Sequence, residues 1–268
     1  MIYPFFDYNE YMELRIKHIP KKDNLYHYTK CSSLKSILAT KILYATKSSF
    51  LNDTNEMDYI THVTKEVIEE LADSGLQELL LSEVVNTIEE SKRHDTFVCS
   101  FSTDKDSITL WSEFGDNTGY NVAFRADELL TQIRKKKEIF YHGHVIYSRE
   151  VQKHLIEELF EDVKKEDDFT LLKRKLNTYA LFFKQEEFAA EKEYRIVFRN
   201  PHKQKILFRE KVGFLLPYIE IQLDTLPIDC VTVAPKNHVD LAKKGMTQYL
   251  ESLGYDVDVN LSKLKLRY

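Results

Sequence analysis

The chain has 268 residues, a formal net charge of −5 and a hydrophobic content of 43%. Such a composition supplies enough apolar side chains for a sizeable core, which excludes intrinsic disorder as the main state. The acidic balance excludes a generally basic surface for nucleic acid, although it leaves room for a local basic patch.

The three cysteines are widely spaced and include no C-x-x-C pair. This pattern argues against both a zinc centre and a disulfide framework, and it fits a reducing cytoplasm. No apolar run approaches membrane-spanning length, and the N-terminal stretch carries Asp7, Glu10 and Glu13 rather than a basic segment followed by an apolar one. We therefore expect a cytoplasmic protein that does not associate with membranes.

The stretch from Leu25 to Phe50 has the pattern of a strand, a short helix and a second strand. Its two ends are rich in aromatic and apolar residues, and its middle carries apolar residues at helical spacing. Ser32 or Ser33 is expected to cap the helix, because a hydroxyl oxygen accepts hydrogen bonds from the free amides of a first turn. His27 and Tyr44 then lie on the two strands that the helix joins, and we expect them to line one pocket on one face of the sheet.

The segments that flank this stretch have simpler interpretations. Residues 1–24 are aromatic and then basic, which predicts a packing arm before the first strand. Asn52 and Asp53 favour a capped turn after the second strand, with a polar lip on a binding site as the alternative. Glu56 follows this turn, and its role stays open.

Apolar residues at helical spacing, interrupted at Ser74-Gly75, predict a helical insertion at about 54–92 whose charged residues form a solvated face. Beyond it, three stretches have the residue types of strands: Thr96–Ser102, Tyr120–Arg125 and Ile139–Tyr147. A short helix between the first two carries Trp111, which is either a core residue or the wall of a pocket. His142 and His144 share one strand face, but no third ligand lies nearby in the sequence, so we predict no metal site.

The last part of the chain predicts two helices over 150–184, five further strands and one helix. Near its middle, Glu191 and Glu193 stand at the entry to a strand, separated by one residue. Side chains at positions i and i+2 of extended backbone share a face, and two buried carboxylates there raise the pKa of at least one of them. An edge strand with outward charges, which guards against aggregation, is the alternative.

Together these motifs resemble those of the ADP-ribosyltransferase superfamily. The opening Leu-Tyr-His-Tyr-Thr, followed by the helix and by Leu-Tyr-Ala, is similar to the first strands of that superfamily, and Glu-x-Glu is similar to its acidic signature. The resemblance implies that Glu193 is catalytic, that Glu191 is accessory and that Tyr44 stacks on nicotinamide. The other residues assigned to the NAD site are His27, Tyr28, Thr29, Ser100, Ser102 and Trp111.

The chemistry of this superfamily explains the acidic pair. Breaking the nicotinamide–ribose bond develops an oxocarbenium-like cation, which a carboxylate on the ribose 2′-hydroxyl stabilises electrostatically. A second carboxylate orients or deprotonates the incoming nucleophile. Because the related RNA 2′-phosphotransferases hold phosphate with basic residues instead, Glu193 argues against that branch. The reaction requires no metal, so we expect NAD as a substrate and no metal cofactor.

The motifs also resemble, over nearly the full length, a widespread bacterial domain of unknown function, number 2971. Leu51 and Thr54 depart from that pattern, where Asn and Pro are expected, but both belong to the turn rather than to the core motifs. The fold implied by the two resemblances is α+β, with an ADP-ribosyltransferase-like split pair of small β-sheets around a cleft and with helical insertions. We expect residues 1–268 to form a single domain of this kind.

The leading functional hypothesis is an NAD-dependent mono-ADP-ribosyltransferase that acts as a bacterial toxin or phage-defence effector on a macromolecular acceptor, with an antitoxin as a possible partner. Nucleic acid and protein are equally favoured as acceptors, and the basic run at 134–137 offers a local phosphate contact. One alternative is a non-catalytic nucleotide-binding sensor on the same fold. Another is an interaction module in which His27 and Glu193 pair across strands.

Overall fold

The computed structural model describes residues 23–51, 56–71, 74–135, 140–166, 169–235 and 239–265. Strands in these residues are β1 (Asn24–Thr29), β2 (Ile42–Lys47), β3 (Thr96–Ser102), β4 (Tyr120–Arg125), β5 (Phe140–His144), β6 (Glu193–Arg199), β7 (Leu207–Lys211), β8 (Phe214–Gln222), β9 (Ile228–Val233) and β10 (Asp258–Leu261). Helices are α1 (Cys31–Thr40), α2 (Glu56–Glu69), α3 (Ser74–Lys92), α4 (Ile108–Gly115), α5 (Ala126–Arg134), α6 (Arg149–Glu166), α7 (Phe169–Phe182) and α8 (Val239–Ser252). The architecture is α+β, as predicted. None of the helices within the described ranges combines the length and the apolar character that crossing a bilayer requires.

The described strands form one connected sheet in the order β10-β9-β4-β1-β3-β2-β8-β7, with β6 and β5 joined to it through β3. Neighbouring strands are antiparallel except β9 and β10, which are parallel. The expectation of two separate small sheets therefore needs a correction. Strand β3 pairs with β1, β2 and β6, and it thereby links the described strands into one mixed sheet.

A gap in this sheet opens where β3 changes partners. One edge of β3 pairs with β6 along its whole length. Its other edge is shared, because Ser102 at one end pairs with Tyr26 of β1, while Phe97 and Val98 at the other end pair with β2. Strands β1 and β2 thus diverge from the middle of β3, and we call the gap between them the fork.

Two large apolar clusters support this arrangement. The first covers one face of the sheet and includes buried residues of α1, α5 and α8. The second is helical, and it joins α2 and α3, which lie between β2 and β3 in the sequence, to α6 and α7. Alternation along the strands explains the first cluster, since every second side chain of β2 and β3 points into it.

Several local predictions are confirmed, and others are corrected. Strands β3 and β4 begin and end where the sequence predicts, and α6 and α7 form the expected helical pair. Helix α1 begins at Cys31 directly after β1, so Lys30 is its N-cap residue, and Ser32 and Ser33 lie within the first turn without capping it. Helix α5 was not foreseen, because it follows β4 without an intervening loop.

Some predictions fall outside the described residues. These are the packing arm, apart from its last two residues, the turn formed by Asn52 and Asp53, and the second half of the basic run at 134–137. The side chain of Glu56 is also outside the described part of the chain.

Candidate active site in the fork

A cleft of about 650 Å³ lies at the fork. Its walls come from β1, β2, β3 and β6, from α1 and α4, from the hairpin of β7 and β8, and from the 3₁₀ turn Glu186–Glu191. The predicted site residues that line it are His27, Tyr28, Thr29, Tyr44, Ser100, Ser102, Glu191 and Glu193. The topology therefore brings together side chains that are up to 166 positions apart in the sequence.

Glu193 is the most deeply placed carboxylate of the cleft, with an exposed fraction of 6%. Both its oxygens accept hydrogen bonds from Arg195, Oε1 from Nε at 2.9 Å and Oε2 from Nη2 at 2.8 Å. Burial alone raises the pKa of Glu193, but the Arg195 guanidinium, the Lys184 ammonium and a hydrogen bond with Ser100 outweigh it and hold this pKa below its ordinary value. Glu193 is thus an ionised carboxylate in a dry environment.

The strand that carries Glu193 is an inner one, since β6 lies between β3 and β5. The alternative of an edge strand with outward charges is therefore wrong for this residue. Residues 193, 195 and 197 alternate with Tyr194, Ile196 and Phe198, which belong to the apolar core. This alternation directs Glu193 and Arg195 to the same face of β6 and explains their direct contact.

Glu191 lies at the end of the 3₁₀ turn and is more accessible than Glu193. Its Oε2 is 2.8 Å from Nζ of Lys184, which is buried and lies 3.6 Å from Oε2 of Glu193. Burial raises the pKa of Glu191, although Lys184 opposes this effect. The two carboxylates therefore differ, because Glu193 is held ionised while Glu191 takes up a proton more readily.

His27 lies at the inner edge of the cleft, where β1 leaves β3. Its Nδ1 is 3.2 Å from the Ser100 carbonyl oxygen. Because a carbonyl only accepts, Nδ1 carries the hydrogen and Nε2 is the acceptor nitrogen. Burial lowers the pKa of His27, so the imidazole is neutral at neutral pH.

Tyr44 stands at the outer side of the same cleft, with 37% of its surface exposed. Its ring centroid is 4.4 Å from that of Tyr218, and the Arg209 guanidinium carbon lies 5.5 Å from it. His27 lies two residues after the core residue Leu25, so it points to the same face of the sheet as the core. Tyr44 lies between the core residues Leu43 and Ala45 of β2, so it points to the opposite face. The expectation that both side chains share one sheet face is therefore wrong, and both border the cleft because it passes through the fork.

Three other predicted residues line the cleft, and the hydroxyl groups of two of them already have hydrogen-bond partners. The Tyr28 hydroxyl donates to the Asp104 carbonyl at 2.7 Å and accepts from a backbone amide of the same loop. The Ser102 hydroxyl donates to the Glu191 carbonyl at 2.7 Å. Thr29 is buried at the end of β1. These contacts fix the loops around the cleft.

Trp111 does not line the cleft, which corrects its assignment to the NAD site. The side chain is fully buried, it packs edge-on against Tyr28, and its Nε1 donates to Asp106 at 2.8 Å. Trp111 packs with Leu110 and with Tyr28 of β1 in a small apolar cluster, which accounts for its burial.

The model of one protein family, described as "Protein of unknown function (DUF2971)", matches residues 110–196. This match supports the resemblance to that domain, and its range includes Glu191, Glu193 and Arg195 but neither His27 nor Tyr44. No curated protein and no solved structure matches the chain. The family description carries no activity, so a functional argument depends on the geometry of the cleft.

The sequence interpretation missed the basic residues of the cleft. Among the residues that the structure describes, five basic side chains line it, compared with three acidic ones, in a chain whose net charge is negative. The basic residues are Lys30, Lys184, Arg195, Arg209 and Lys211, and the acidic ones are Glu113, Glu191 and Glu193. The alternation of Glu193 and Arg195 was the available signal for one of them, because both fall on one face of β6.

The histidine pair of β5 has other partners. Nδ1 of His142 is 2.5 Å from the Tyr194 hydroxyl, and Nε2 is 3.2 Å from Nη2 of Arg134. Over the described ranges, no three side chains of His, Cys, Asp or Glu come together as metal ligands.

Proposed function

We propose that the protein is an NAD-dependent mono-ADP-ribosyltransferase. The observation that supports this function best is the buried, ionised Glu193 in a cleft that His27 and Tyr44 also border. A carboxylate of this kind is what an oxocarbenium-like transition state requires, because a fixed negative charge in a dry site stabilises developing positive charge strongly. The excess of basic side chains in the cleft also suits the pyrophosphate of NAD.

In this reaction the bond between nicotinamide and ribose C1′ breaks, and nicotinamide leaves with the electron pair. Glu193 accepts a hydrogen bond from the ribose 2′-hydroxyl while positive charge grows on the ring. A carboxylate offers about four lone-pair sites, so the two bonds to Arg195 and the one to Ser100 leave room for this contact. The acceptor then forms the new bond to C1′, and Glu191 takes its proton.

The other residues of the cleft have positioning roles in this proposal. Tyr44 stacks on nicotinamide with its exposed ring. His27 approaches from the opposite face of the sheet, so we assign it to a ribose hydroxyl, from which its Nε2 accepts a hydrogen bond. Action as a bacterial toxin or phage-defence effector, and control by an antitoxin, stay predictions.

A non-catalytic nucleotide sensor is the second candidate, and one observation favours it. Arg195 bonds to both oxygens of Glu193, as in an ion pair that has a structural purpose. The interaction module has less support, because His27 bonds to the Ser100 carbonyl and Glu193 to Arg195 rather than to each other. Turnover of NAD separates the enzyme from both alternatives.

The decisive experiment compares Glu193→Gln with Glu191→Gln in two assays, nicotinamide release and transfer of labelled ADP-ribose to lysate. We expect Glu193→Gln to lose both activities by about 10²–10³-fold, the effect of removing one preorganised electrostatic group. Glu191→Gln should impair transfer more than hydrolysis, because water needs less positioning than a macromolecular acceptor. Digestion of the labelled product with nuclease or protease then identifies the class of acceptor.

Glu187→Gln is the matched control, since Glu187 is an exposed carboxylate on the same 3₁₀ turn and does not line the cleft. Thermal unfolding of each variant separates lost activity from lost structure. Near wild-type rates of Glu193→Gln in both assays would remove the catalytic proposal.

A further inference from the structure

The hairpin of β7 and β8 presents an unusual surface beside the cleft. Among the described strands, β7 is the last one on this side of the sheet, and all five of its residues are exposed. Register pairs Arg209 with Leu216 and Lys211 with Phe214, so these side chains share the face on which Tyr44 and Tyr218 lie. We call the set of Phe50, Arg209, Lys211, Phe214 and Tyr218 the hairpin face.

Aromatic rings on the hairpin face are accessible to a ligand. Phe50 and Phe214 are 39% and 46% exposed, and their ring planes lie within 23° of each other at a centroid distance of 6.4 Å. Neither ring belongs to the apolar clusters of the core. Exposed aromatic rings with nearly parallel planes offer π-faces on which planar groups stack.

The cations of this face lack acidic partners. Among the described residues, no carboxylate forms an ion pair with Arg209 or Lys211, and Arg209 donates only to the Thr46 hydroxyl, at 3.3 Å. The nearest carboxylate in register on this face is Glu220, opposite Tyr44. It lies four residues along β8 from the partner of Arg209, about 13 Å at the usual strand rise. This face of the hairpin tip therefore carries cations on a chain of net charge −5, while the exposed Glu210 of β7 alternates to the other face.

We propose that the hairpin face binds single-stranded nucleic acid, with bases stacked on Phe50 and Phe214 and phosphates at Arg209 and Lys211. Interleaved rings and cations fit unpaired bases on a charged backbone, because stacking is tolerant of sequence and the phosphates supply the affinity. A duplex hides its base faces, so this surface discriminates against it. The binding proposal rests on the hairpin face alone, and only the further role of the bound nucleic-acid strand as acceptor rests on the proposed function.

The path from this face to the cleft supports that role. Phe50, Arg209 and Lys211 also line the cleft, as does Tyr44 beside them. A strand held on the hairpin face thus ends at the mouth of the site in which Glu191 and Glu193 lie. Its bases or sugar hydroxyls are then within reach of the reacting carbon.

The test is fluorescence anisotropy with labelled single-stranded DNA and RNA of about 12 nucleotides, a length within the range of one binding site. We expect Phe214→Ala to weaken binding by about 5- to 150-fold, which is the range for one stacked base. Arg209→Gln/Lys211→Gln should reduce the slope of log K against log salt by about 1.4, or 0.7 for each lost phosphate contact. Comparison of the DNA and RNA arms identifies the preferred sugar.

Controls with matched chemistry lie on α8, which packs on the opposite face of the sheet. Lys243→Gln/Lys244→Gln removes two exposed charges, and Leu241→Ala removes an exposed apolar side chain. Both should bind as the wild type does. The proposal is overturned if neither oligonucleotide binds at low salt, if a duplex or polyglutamate competes equally well, or if the α8 variants lose as much affinity as the hairpin variants. Because no NAD is present, these outcomes are independent of the activity assays.

Discussion

At the scale of single residues, the pairing of Glu193 with Arg195 determines what the cleft can do. A buried carboxylate without a partner takes up a proton, whereas one with a bidentate guanidinium stays ionised. Arg195 is itself 2% exposed and also donates to the Leu181 carbonyl at 3.0 Å. The guanidinium is thus fixed by the fold, and it maintains the charge of Glu193 before any ligand arrives.

The first residue-scale prediction concerns Arg195→Met. We expect the free energy of unfolding at neutral pH to fall by about 3–5 kcal/mol, because the change leaves a buried charge without its main partner. In the wild type the pKa of Glu193 is depressed, so its stabilising contribution is present above the unfolded-state pKa and is lost as the pH falls. In Arg195→Met burial raises that pKa, and the variant should instead become more stable, relative to the wild type, on acidification.

Urea unfolding at neutral pH and at about pH 4, below the ordinary pKa of a glutamate, measures this reversal. Glu193→Gln/Arg195→Met is the matched double variant, and it should recover part of the lost stability because no charge remains unpaired. If the stability of Arg195→Met falls on acidification in parallel with that of the wild type, then Lys184, 3.6 Å from Glu193, is a sufficient partner alone.

At the scale of elements, the fork depends on where β1 separates from β3. Strand β1 follows β4 closely, and only its Tyr26 pairs with β3. The sequence predicts β3 and β4 correctly, because alternation and β-favouring residues are local signals. It does not predict that β3 has two partners on one edge, since such pairing depends on contacts between distant segments. The same limit explains why Trp111 was assigned to the cleft and why Arg209 was missed.

An element-scale prediction concerns Gly119, which precedes β4. A Cβ built there collides with the Thr29 carbonyl oxygen and lies 2.9 Å from the Cα of Gly115. We expect Gly119→Ala to lower the free energy of unfolding by about 1–3 kcal/mol, the usual effect of overpacking, because backbone atoms on both sides must move. Urea unfolding measures this loss.

Gly245→Ala is the matched control for this change. Gly245 lies within α8, and a Cβ there meets no atom of the described residues within 4 Å. Alanine should stabilise that helix by about 0.8–1 kcal/mol, because glycine is the poorer helix former. Equal effects of the two substitutions would contradict the close approach of β1 and α4 at Gly119.

At the scale of the whole molecule, the sheet and the helical cluster have separate apolar cores. The cleft borders the first core and reaches towards the second through Lys184, which follows α7 and pairs with Glu191. Charge is also divided unequally, since basic side chains concentrate in the cleft of an acidic chain. Composition indicates the sign of the total charge but not this separation, because the topology alone decides which charges meet.

The whole-molecule prediction is that NAD raises the thermal stability of the chain. A ligand at 100 times its Kd adds about 2.7 kcal/mol to the free energy of unfolding, provided that it binds only the folded state. At about 2–4 °C for each kcal/mol, the transition should rise by roughly 5–10 °C.

Because Trp111 is the single tryptophan and is buried beside β1, its fluorescence reports unfolding near the cleft, while circular dichroism reports the helices. Equal shifts by both probes would show that the two cores unfold together, and a shift in fluorescence alone would show that the helical cluster unfolds independently.

ADP-ribose, which lacks nicotinamide, should shift the transition less than NAD does, since Tyr44 then has no ring to stack on. Glu193→Gln should retain most of the shift if Glu193 acts mainly in the transition state. A chain that neither NAD nor ADP-ribose stabilises would contradict both the enzyme and a sensor of NAD, and the interaction module would then be the function to pursue.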